Sequence, residues 1–167
     1  MKTTNRPLTL RQLSERSDSK ERFGYELADF EHELTRMTSR SELFEAIREE
    51  PLNLAGRFPE GAIADVWLAA LAELLSVRFR IDYPGWIWNP TRFLKEPVIH
   101  DSHSTRLKTW HILKSEPAFS RRNYFVDYQL PPIQLRPGRP RKSEAHKRLM
   151  NRKRVARYRE LRKANRS

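Results

Sequence analysis

Apolar positions recur at helical spacing along most of the chain before its basic end. The clearest case is SDSKERFGYELADFEHELTRMTS, in which steps of four, three, four and three separate the residues Phe23, Leu27, Phe30, Leu34 and Met37. Because an α-helix has 3.6 residues per turn, this spacing places them on one face. Either Asp18 or Ser19 is suited to cap the N-terminus. The stretch therefore predicts a long amphipathic helix.

Four further stretches predict helices. LTLRQLSER predicts a short helix from Thr9. SRSELFEAIREEP contains Ser39 and, three residues later, Glu42, which is a capping-box spacing, and Pro51 ends the helix. AIADVWLAALAELLSV is strongly apolar and predicts the central helix of the core, and HSTRLKTWHILKSEP predicts a helix that ends near Pro117.

The remaining segments before the basic end are irregular. Asn89 and Pro90 form an N-cap and N1 pair, which predicts a short helix over Thr91 to Lys95. SEPAFSRRNYFVD predicts one last turn, and YFVDYQLPPIQL predicts an extended segment. Because apolar and polar residues do not alternate reliably anywhere, the sequence predicts an all-α fold.

Charge divides the chain into parts. Residues 136–167 contain fourteen Lys and Arg against two acidic residues, whereas residues 1–135 contain nineteen of each sign, so the net charge of +12 lies entirely at the end. We therefore expect a compact, neutral helical domain over residues 1–130. A Pro-rich, extended linker would follow over 131–142, and a basic tail over 143–167 would be helical when bound.

Composition excludes several classes of site. The chain has no cysteine, so disulfides, thiolate metal sites and cysteine nucleophiles are excluded. MKTTNRPLTLRQLSER has no apolar run typical of a signal peptide, and no window is apolar enough for a membrane span. These features predict a soluble, cytoplasmic protein. Membrane binding by the basic tail is not expected, because the tail has no Trp or Phe to insert.

Three groups in the neutral part suggest chemistry, and each has a simpler structural interpretation. Tyr83, Trp86 and Trp88 could stack on bases or pack a loop, and packing is favoured because no basic excess lies beside them. His100, His103 and His111 with Asp101 invite a metal interpretation, but no carboxylate follows at helical spacing. Arg121 and Arg122 could contact phosphate, although pairing with the domain's own carboxylates is favoured.

One spacing raises the alternative of an enzyme. Arg106 and His111 are separated by four residues, and this spacing resembles that of the HEPN family of all-α ribonucleases. In that family the pair acts on an RNA phosphodiester, but Leu107 stands here where a polar residue is usual. We therefore do not assign this pair a catalytic role. From the sequence as a whole, we predict no catalytic residue, no metal and no cofactor.

Five stretches between residues 8 and 127 match one group of proteins, and they are LTLRQLSERSD, ELADFEHEL, ADVWLAALAELLSVRF, YPGWIWNPTRFLKEP and ILKSEPAFSRRNYFVD. The most specific part is that from Ser115 to Arg122. In these stretches the chain resembles small bacterial antitoxin-like proteins that are encoded beside nucleotidyltransferase-like toxins. The resemblance implies a helical protein that binds a cognate toxin and catalyses nothing. It does not extend to the basic tail.

The segment RPGRPRKS resembles an AT-hook, a short motif that binds the minor groove of DNA. Gly138 would allow close approach to the groove floor, and the prolines would keep the backbone extended so that Arg139 lies along it. A narrow A·T-rich minor groove has an enhanced negative potential that attracts arginine. Cations of the following segment would contact phosphates and release counterions. The predicted nucleic-acid-binding residues are Arg136, Gly138, Arg139, Pro140, Arg141, Lys142, Lys147, Arg148, Arg152, Lys153, Arg154, Arg157, Arg159, Arg162 and Lys163.

The leading hypothesis is a nucleoid-associated, DNA-binding regulator that also binds a protein partner such as a cognate toxin. RNA satisfies the same electrostatics, so the first alternative is an RNA- or ribosome-binding accessory protein. The second alternative is the all-α ribonuclease.

Overall fold

Helices form most of the regular structure in residues 6–100 and 103–136, which are the residues that the computed structural model describes. The helices are α1 Leu10–Arg16, α2 Lys20–Arg36, α3 Arg40–Arg48, α4 Gly61–Phe79, α5 Thr105–Lys114 and α6 Pro117–Ser120. Further elements are two 3₁₀ turns, Gly85–Trp88 and Pro90–Arg92, and two short strands, β1 Val98–Ile99 and β2 Tyr124–Phe125. The predicted all-α fold is confirmed for this part of the chain.

Hydroxyl side chains cap four of the predicted helices, α1, α2, α3 and α5. Ser19, one of the two caps expected for α2, accepts a hydrogen bond from the backbone N–H of Arg22 at 3.1 Å. Ser39 and Glu42 form the predicted capping box of α3, in which each side chain accepts from the other residue's backbone N–H at 3.2 Å. These bonds satisfy N–H groups that have no partner within their helix.

The helix α4 is buried on nearly all sides and lies between two apolar clusters. The main cluster joins it to α1, α2 and α3 through residues that include Leu13, Phe30, Leu34, Leu43, Ile47, Leu68, Leu71 and Leu75. The second cluster consists of Val66, Ala70, Ala118, Phe119, Tyr124 and Val126. The apolar segment is therefore the central core helix, as predicted. No helix of residues 6–100 and 103–136 has both the length and the apolar character needed to cross a membrane.

The strands β1 and β2 lie beside the second cluster. They pair in parallel, with Val98 opposite Tyr124 and Ile99 opposite Phe125. Trp67 of α4 makes edge-to-face contacts nearby, with ring centroids 4.8 Å from Phe119 and 6.1 Å from Tyr124. This aromatic packing holds the segment after α6 against α4.

The helix predicted over Thr91 to Lys95 is reduced to the 3₁₀ turn Pro90–Arg92. The Asn89 side chain makes no capping bond and instead donates to Glu50 Oε1 at 2.7 Å. The backbone then becomes extended at Phe93. The Asn89 side chain therefore makes a tertiary hydrogen bond through its Nδ2, and its Oδ1 does not cap the turn.

The segment after β2 is extended, as predicted, but it packs beyond residue 130. Tyr128, Leu130, Ile133 and Leu135 pack against the main cluster. The backbone N–H of Arg136 donates to the carbonyl oxygen of Thr38 at 2.8 Å. The described residues all belong to one compact unit, Met1–Arg136, so the start of the predicted linker is part of the helical body.

Candidate functional site

Nearly all of the predicted nucleic-acid-binding residues lie outside the described residues. The predicted residues from Gly138 to Lys163 all lie outside them, together with all but the first residue of the AT-hook-like segment RPGRPRKS. Arg136 is described, and it is exposed at the point where its backbone bonds to Thr38. Its side chain is therefore open to a ligand at the junction with the basic segment.

Many cations of the helical body pair with its own carboxylates. The pairs are Arg6 with Asp29 and Glu33, Arg11 with Glu15, Arg16 and Arg22 with Glu26, Lys20 with Glu60, Arg36 with Glu33, Arg48 with Glu45, Arg92 with Asp65 and Glu50, and Arg121 and Arg122 with Glu73. A carboxylate beside a cation repels an approaching phosphate. These arginines and lysines are therefore poorly suited to hold a polyanion.

Arg122 is a fully buried cation that joins three parts of the fold. Its Nη1 pairs with Glu73 of α4 and donates to the carbonyl oxygen of Ala118 at 2.6 Å, while Nη2 donates to that of Ile87 at 3.0 Å. The Phe93 ring lies 5.0 Å from its guanidinium carbon. Burial lowers the pKa of Arg122, and the hydrogen bond to Glu73 opposes this effect. The guanidinium is occupied by the fold itself.

Arg92 and Asp65 form a second buried pair. Arg92 Nη1 lies 2.5 Å from Asp65 Oδ1, and Nη2 donates to the carbonyl oxygen of Pro51 at 2.7 Å. Asp65 also accepts from the backbone N–H groups of Leu54 and Ala55, the latter at 2.8 Å. Burial raises the pKa of Asp65, and these hydrogen bonds oppose the shift. The pair fixes the loop before α4 to the segment after it.

The sequence anticipated these pairs in part. Internal pairing of Arg121 and Arg122 was the favoured interpretation, and both contact Glu73. The pair of Arg92 and Asp65 was not predicted. The available signal was the presence of Asp65 and Glu73 inside an otherwise apolar helix, because a buried carboxylate requires a partner.

The aromatic group Tyr83, Trp86 and Trp88 divides into two roles. Trp86 is buried, donates from Nε1 to the carbonyl oxygen of Ile47 at 3.0 Å, and lies under the Arg92 guanidinium. Tyr83 and Trp88 are about half exposed, and their ring centroids lie 6.2 Å apart. Trp86 therefore packs the loop, as favoured from the sequence, while the other two rings remain accessible.

The histidines do not form a metal centre with the carboxylates that the structure describes. His100 Nδ1 shares a hydrogen bond of 2.6 Å with the Tyr124 hydroxyl, and His111 Nδ1 accepts from the backbone N–H of Asp127 at 3.0 Å. Within residues 6–100 and 103–136, no group of three potential ligands is close enough to hold an ion. Asp101 lies outside the described residues.

Arg106 and His111 both belong to α5. A separation of five residues corresponds to about 140° around a helix axis, so the two side chains leave the helix on different sides. Arg106 is exposed, whereas His111 is half-buried and turned to Asp127. The two side chains do not converge within one copy of α5.

A cleft of about 390 Å³ opens beside α2, α4 and β1. Its lining is mainly apolar and includes Phe23, Leu27, Ile63 and Trp67. Such a volume suits a small molecule, but the polar side chains that line the cleft mostly bond to one another. For example, Lys20 pairs with Glu60 at 2.8 Å. The cleft therefore identifies no reaction.

Comparison with known proteins adds no relative to this picture. No protein-family model matches the chain, and no curated protein or solved structure matches it. The described residues therefore form an all-α fold that contains buried ion pairs.

Proposed function

We propose that this protein is a DNA-binding regulator whose basic segment binds DNA and whose helical body binds a protein partner. The observation that carries the proposal is the division of charge. Residues 136–167 have fourteen cations and two acidic residues, while residues 1–135 are neutral. In the described body, many cations are matched by local carboxylates, which leaves the basic segment as the main source of positive potential.

DNA is the favoured polyanion because of the segment RPGRPRKS. Its Gly-Arg-Pro core with basic flanks suits the narrow minor groove of A·T-rich DNA, where Arg139 would be drawn in by the enhanced negative potential. The cations of SEAHKRLMNRKRVARYRELRKAN would add phosphate contacts along the duplex. Under this proposal the protein acts in the bacterial cytoplasm, on the nucleoid.

The proposed partner of the body is a cognate toxin. The support is the resemblance of residues 8 to 127 to antitoxin-like proteins, and its most specific stretch ends in Arg121 and Arg122. In this chain Arg122 is a buried anchor of the fold. The resemblance therefore concerns residues that build the helical body, and it assigns the body to partner binding without catalysis.

The test compares the full chain with a chain that ends at Arg136. Each is titrated by fluorescence anisotropy with an A·T-rich duplex, a G·C-rich duplex and a structured RNA at several salt concentrations. We expect the full chain to prefer the A·T-rich duplex and the shorter chain to lose binding to all three. Circular dichroism of the shorter chain serves as the control for its helical fold.

Two results would contradict the proposal. Equal affinity of the two chains for DNA would place the binding surface in the body. A preference of the full chain for RNA over both duplexes at the same salt concentration would favour the RNA- or ribosome-binding alternative. Incubation of the labelled RNA with wild type and with His111→Ala tests the ribonuclease alternative, because only cleavage lost in the variant would support it.

A further inference from the structure

The helix α5 differs from the other long helices because it has no buried residue. Its large apolar side chains are exposed to an unusual degree, with 46% of Leu107, 50% of Trp110, 48% of Ile112 and 75% of Leu113 accessible. A group of neighbouring exposed apolar side chains typically marks a surface that binds another molecule. The packing of this domain alone does not explain why these residues are apolar.

The fold holds α5 in place while leaving its apolar residues accessible. Trp110 Nε1 donates to Asp127 Oδ2 at 2.8 Å, and His111 Nδ1 accepts from the Asp127 backbone N–H at 3.0 Å. Ser104 caps the N-terminus by accepting from the N–H of Leu107 at 3.2 Å. A helix that is already formed and anchored loses little conformational freedom when a partner binds it.

The charge of α5 is of one sign. Arg106, Lys108 and Lys114 alternate with its apolar residues, and the helix has no acidic residue. Within residues 6–100 and 103–136, none of these three cations forms an ion pair, in contrast to the many paired cations elsewhere in the body. A partner with carboxylates at the edge of its binding surface would complement this charge.

The angular distribution of the apolar residues indicates what kind of surface they meet. Trp110 and Ile112 are two residues apart, or about 200° around the helix axis, so they lie on opposite sides. Leu107, Trp110 and Leu113 follow one another at steps of about 60°, so with Ile112 the four side chains cover about 220° of the circumference. A flat membrane surface contacts one face of a helix, whereas a groove in a protein can cover more of its circumference.

We propose that α5 is the element that docks into the protein partner, and that the partner offers an apolar groove edged by carboxylates. The inference rests on the proposed function, in which the helical body binds a protein. Beyond that function, the inference names α5 as the element that binds and describes the chemistry of the partner's groove. Leu113, the most exposed of the apolar side chains, would enter the groove, and Arg106 and Lys108 would meet its acidic edge.

The experiment titrates the full chain by calorimetry with a purified nucleotidyltransferase-like toxin, the class of partner that the proposed function assigns. Leu113→Glu should weaken the complex by at least about tenfold, because it places a charge in the apolar contact. Val77→Glu is the matched control, since Val77 is an apolar residue of α4 that is 58% exposed, and it should leave the affinity unchanged. Lys108→Glu should weaken binding most at low salt, where charge attraction is least screened.

The outcomes separate this inference from the proposed function. If the wild type binds the toxin and Leu113→Glu binds as tightly as Val77→Glu, the docking inference is overturned while partner binding stands. If the wild type does not bind that protein, the partner assignment fails and the docking inference fails with it. Binding to vesicles of phosphatidylcholine and phosphatidylglycerol that Leu113→Glu alone abolishes would replace the protein groove with a membrane.

Discussion

Arg122 and Glu73 bring opposite charges together in a region that is otherwise apolar, and both are almost completely buried. Removing charges from water costs several kcal/mol per ion, and the cost is recovered only where geometry and further hydrogen bonds are good. Arg122 meets this condition at both Nη atoms, which donate to the carbonyl oxygens of Ala118 and Ile87, whereas its buried Nε has no partner among the described residues. The pair therefore specifies how the segment after α6 and the first 3₁₀ turn meet α4.

Replacement of Arg122 tests this role. Arg122→Met should lower the free energy of unfolding by about 3 kcal/mol, because it leaves the buried Glu73 carboxylate with one exposed partner. Arg121→Met is the control, since its side chain is 48% exposed and pairs with the same carboxylate. The control should cost at most about 1 kcal/mol. Urea unfolding measures the stability of both variants. Equal losses of unfolding free energy would show that the buried Arg122 stabilises the fold no more than the exposed Arg121 does.

Tyr128 and Glu31 predict a dependence of stability on alkaline pH. The Tyr128 hydroxyl donates to Glu31 Oε1 at 2.7 Å. Burial raises the pKa of Tyr128 above its ordinary value, and the hydrogen bond and negative charge of Glu31 raise it further. The unfolded chain therefore ionises this tyrosine at a lower pH than the folded chain does. The stabilisation is complete below about pH 10 and is lost as the pH rises above that value.

The measurement is urea unfolding at neutral and alkaline pH. Between about pH 8 and about pH 11, wild type should lose about 1 kcal/mol more stability than Tyr128→Phe, which has no proton to lose. Tyr25→Phe is the control because Tyr25 is 72% exposed, and it should keep the wild-type dependence. The same alkaline loss in Tyr128→Phe and wild type would contradict the assigned role of this hydroxyl.

Sequence separation decided which individual contacts were predictable. Ser39 and Glu42 are three residues apart, so their reciprocal bonds follow from local spacing. Arg92 and Asp65 are 27 residues apart, and Arg122 and Glu73 are 49 apart. No local pattern connects such partners. The sequence indicated only that carboxylates within an apolar helix need cations, and the fold determined which arginines supply them.

At the scale of elements, α4 shows how a helix is fixed at its start as well as along its length. A Cβ at Gly61 would lie 1.9 Å from the carbonyl oxygen of Leu54, so only glycine allows this helix to begin so close to the preceding loop. Asp65, one turn later, accepts hydrogen bonds from Leu54 and Ala55 in the same loop. Close approach and hydrogen bonding together set where α4 enters the core.

The elements that the sequence predicted correctly are those whose signals are local. Among the helices, α2 follows from apolar periodicity, α3 from its capping box and α4 from its strongly apolar sequence. The pairing of β1 with β2 joins Val98 to Tyr124, and strands of two residues leave no periodic pattern. Nor did periodicity indicate that α5 would have no buried residue. Whether a helix face is covered depends on the surrounding elements, so the exposed apolar surface of α5 could be identified only from the structure.

At the scale of the whole molecule, the important property is the separation of charge. Residues 1–135 are neutral, and many of their cations have local carboxylate partners. The basic segment has no comparable supply of acidic residues, since only Glu144 and Glu160 oppose its cations. Under the proposed function, affinity for DNA and affinity for a protein can therefore be changed independently by mutation.

The proposed function leads to a prediction about the contacts that the basic segment would make with DNA. Arg139→Ala should reduce the preference for an A·T-rich over a G·C-rich duplex and weaken binding by about 1–3 kcal/mol, the usual scale of a groove contact. Lys153→Ala is the matched control: it should weaken both duplexes alike and lower the salt slope by about one phosphate contact. Anisotropy titrations of both duplexes at several salt concentrations measure these effects. An arginine held in the minor groove discriminates between DNA sequences, whereas a lysine that contacts a phosphate does not. Identical behaviour of the two variants would therefore show that RPGRPRKS binds only as part of a general basic segment.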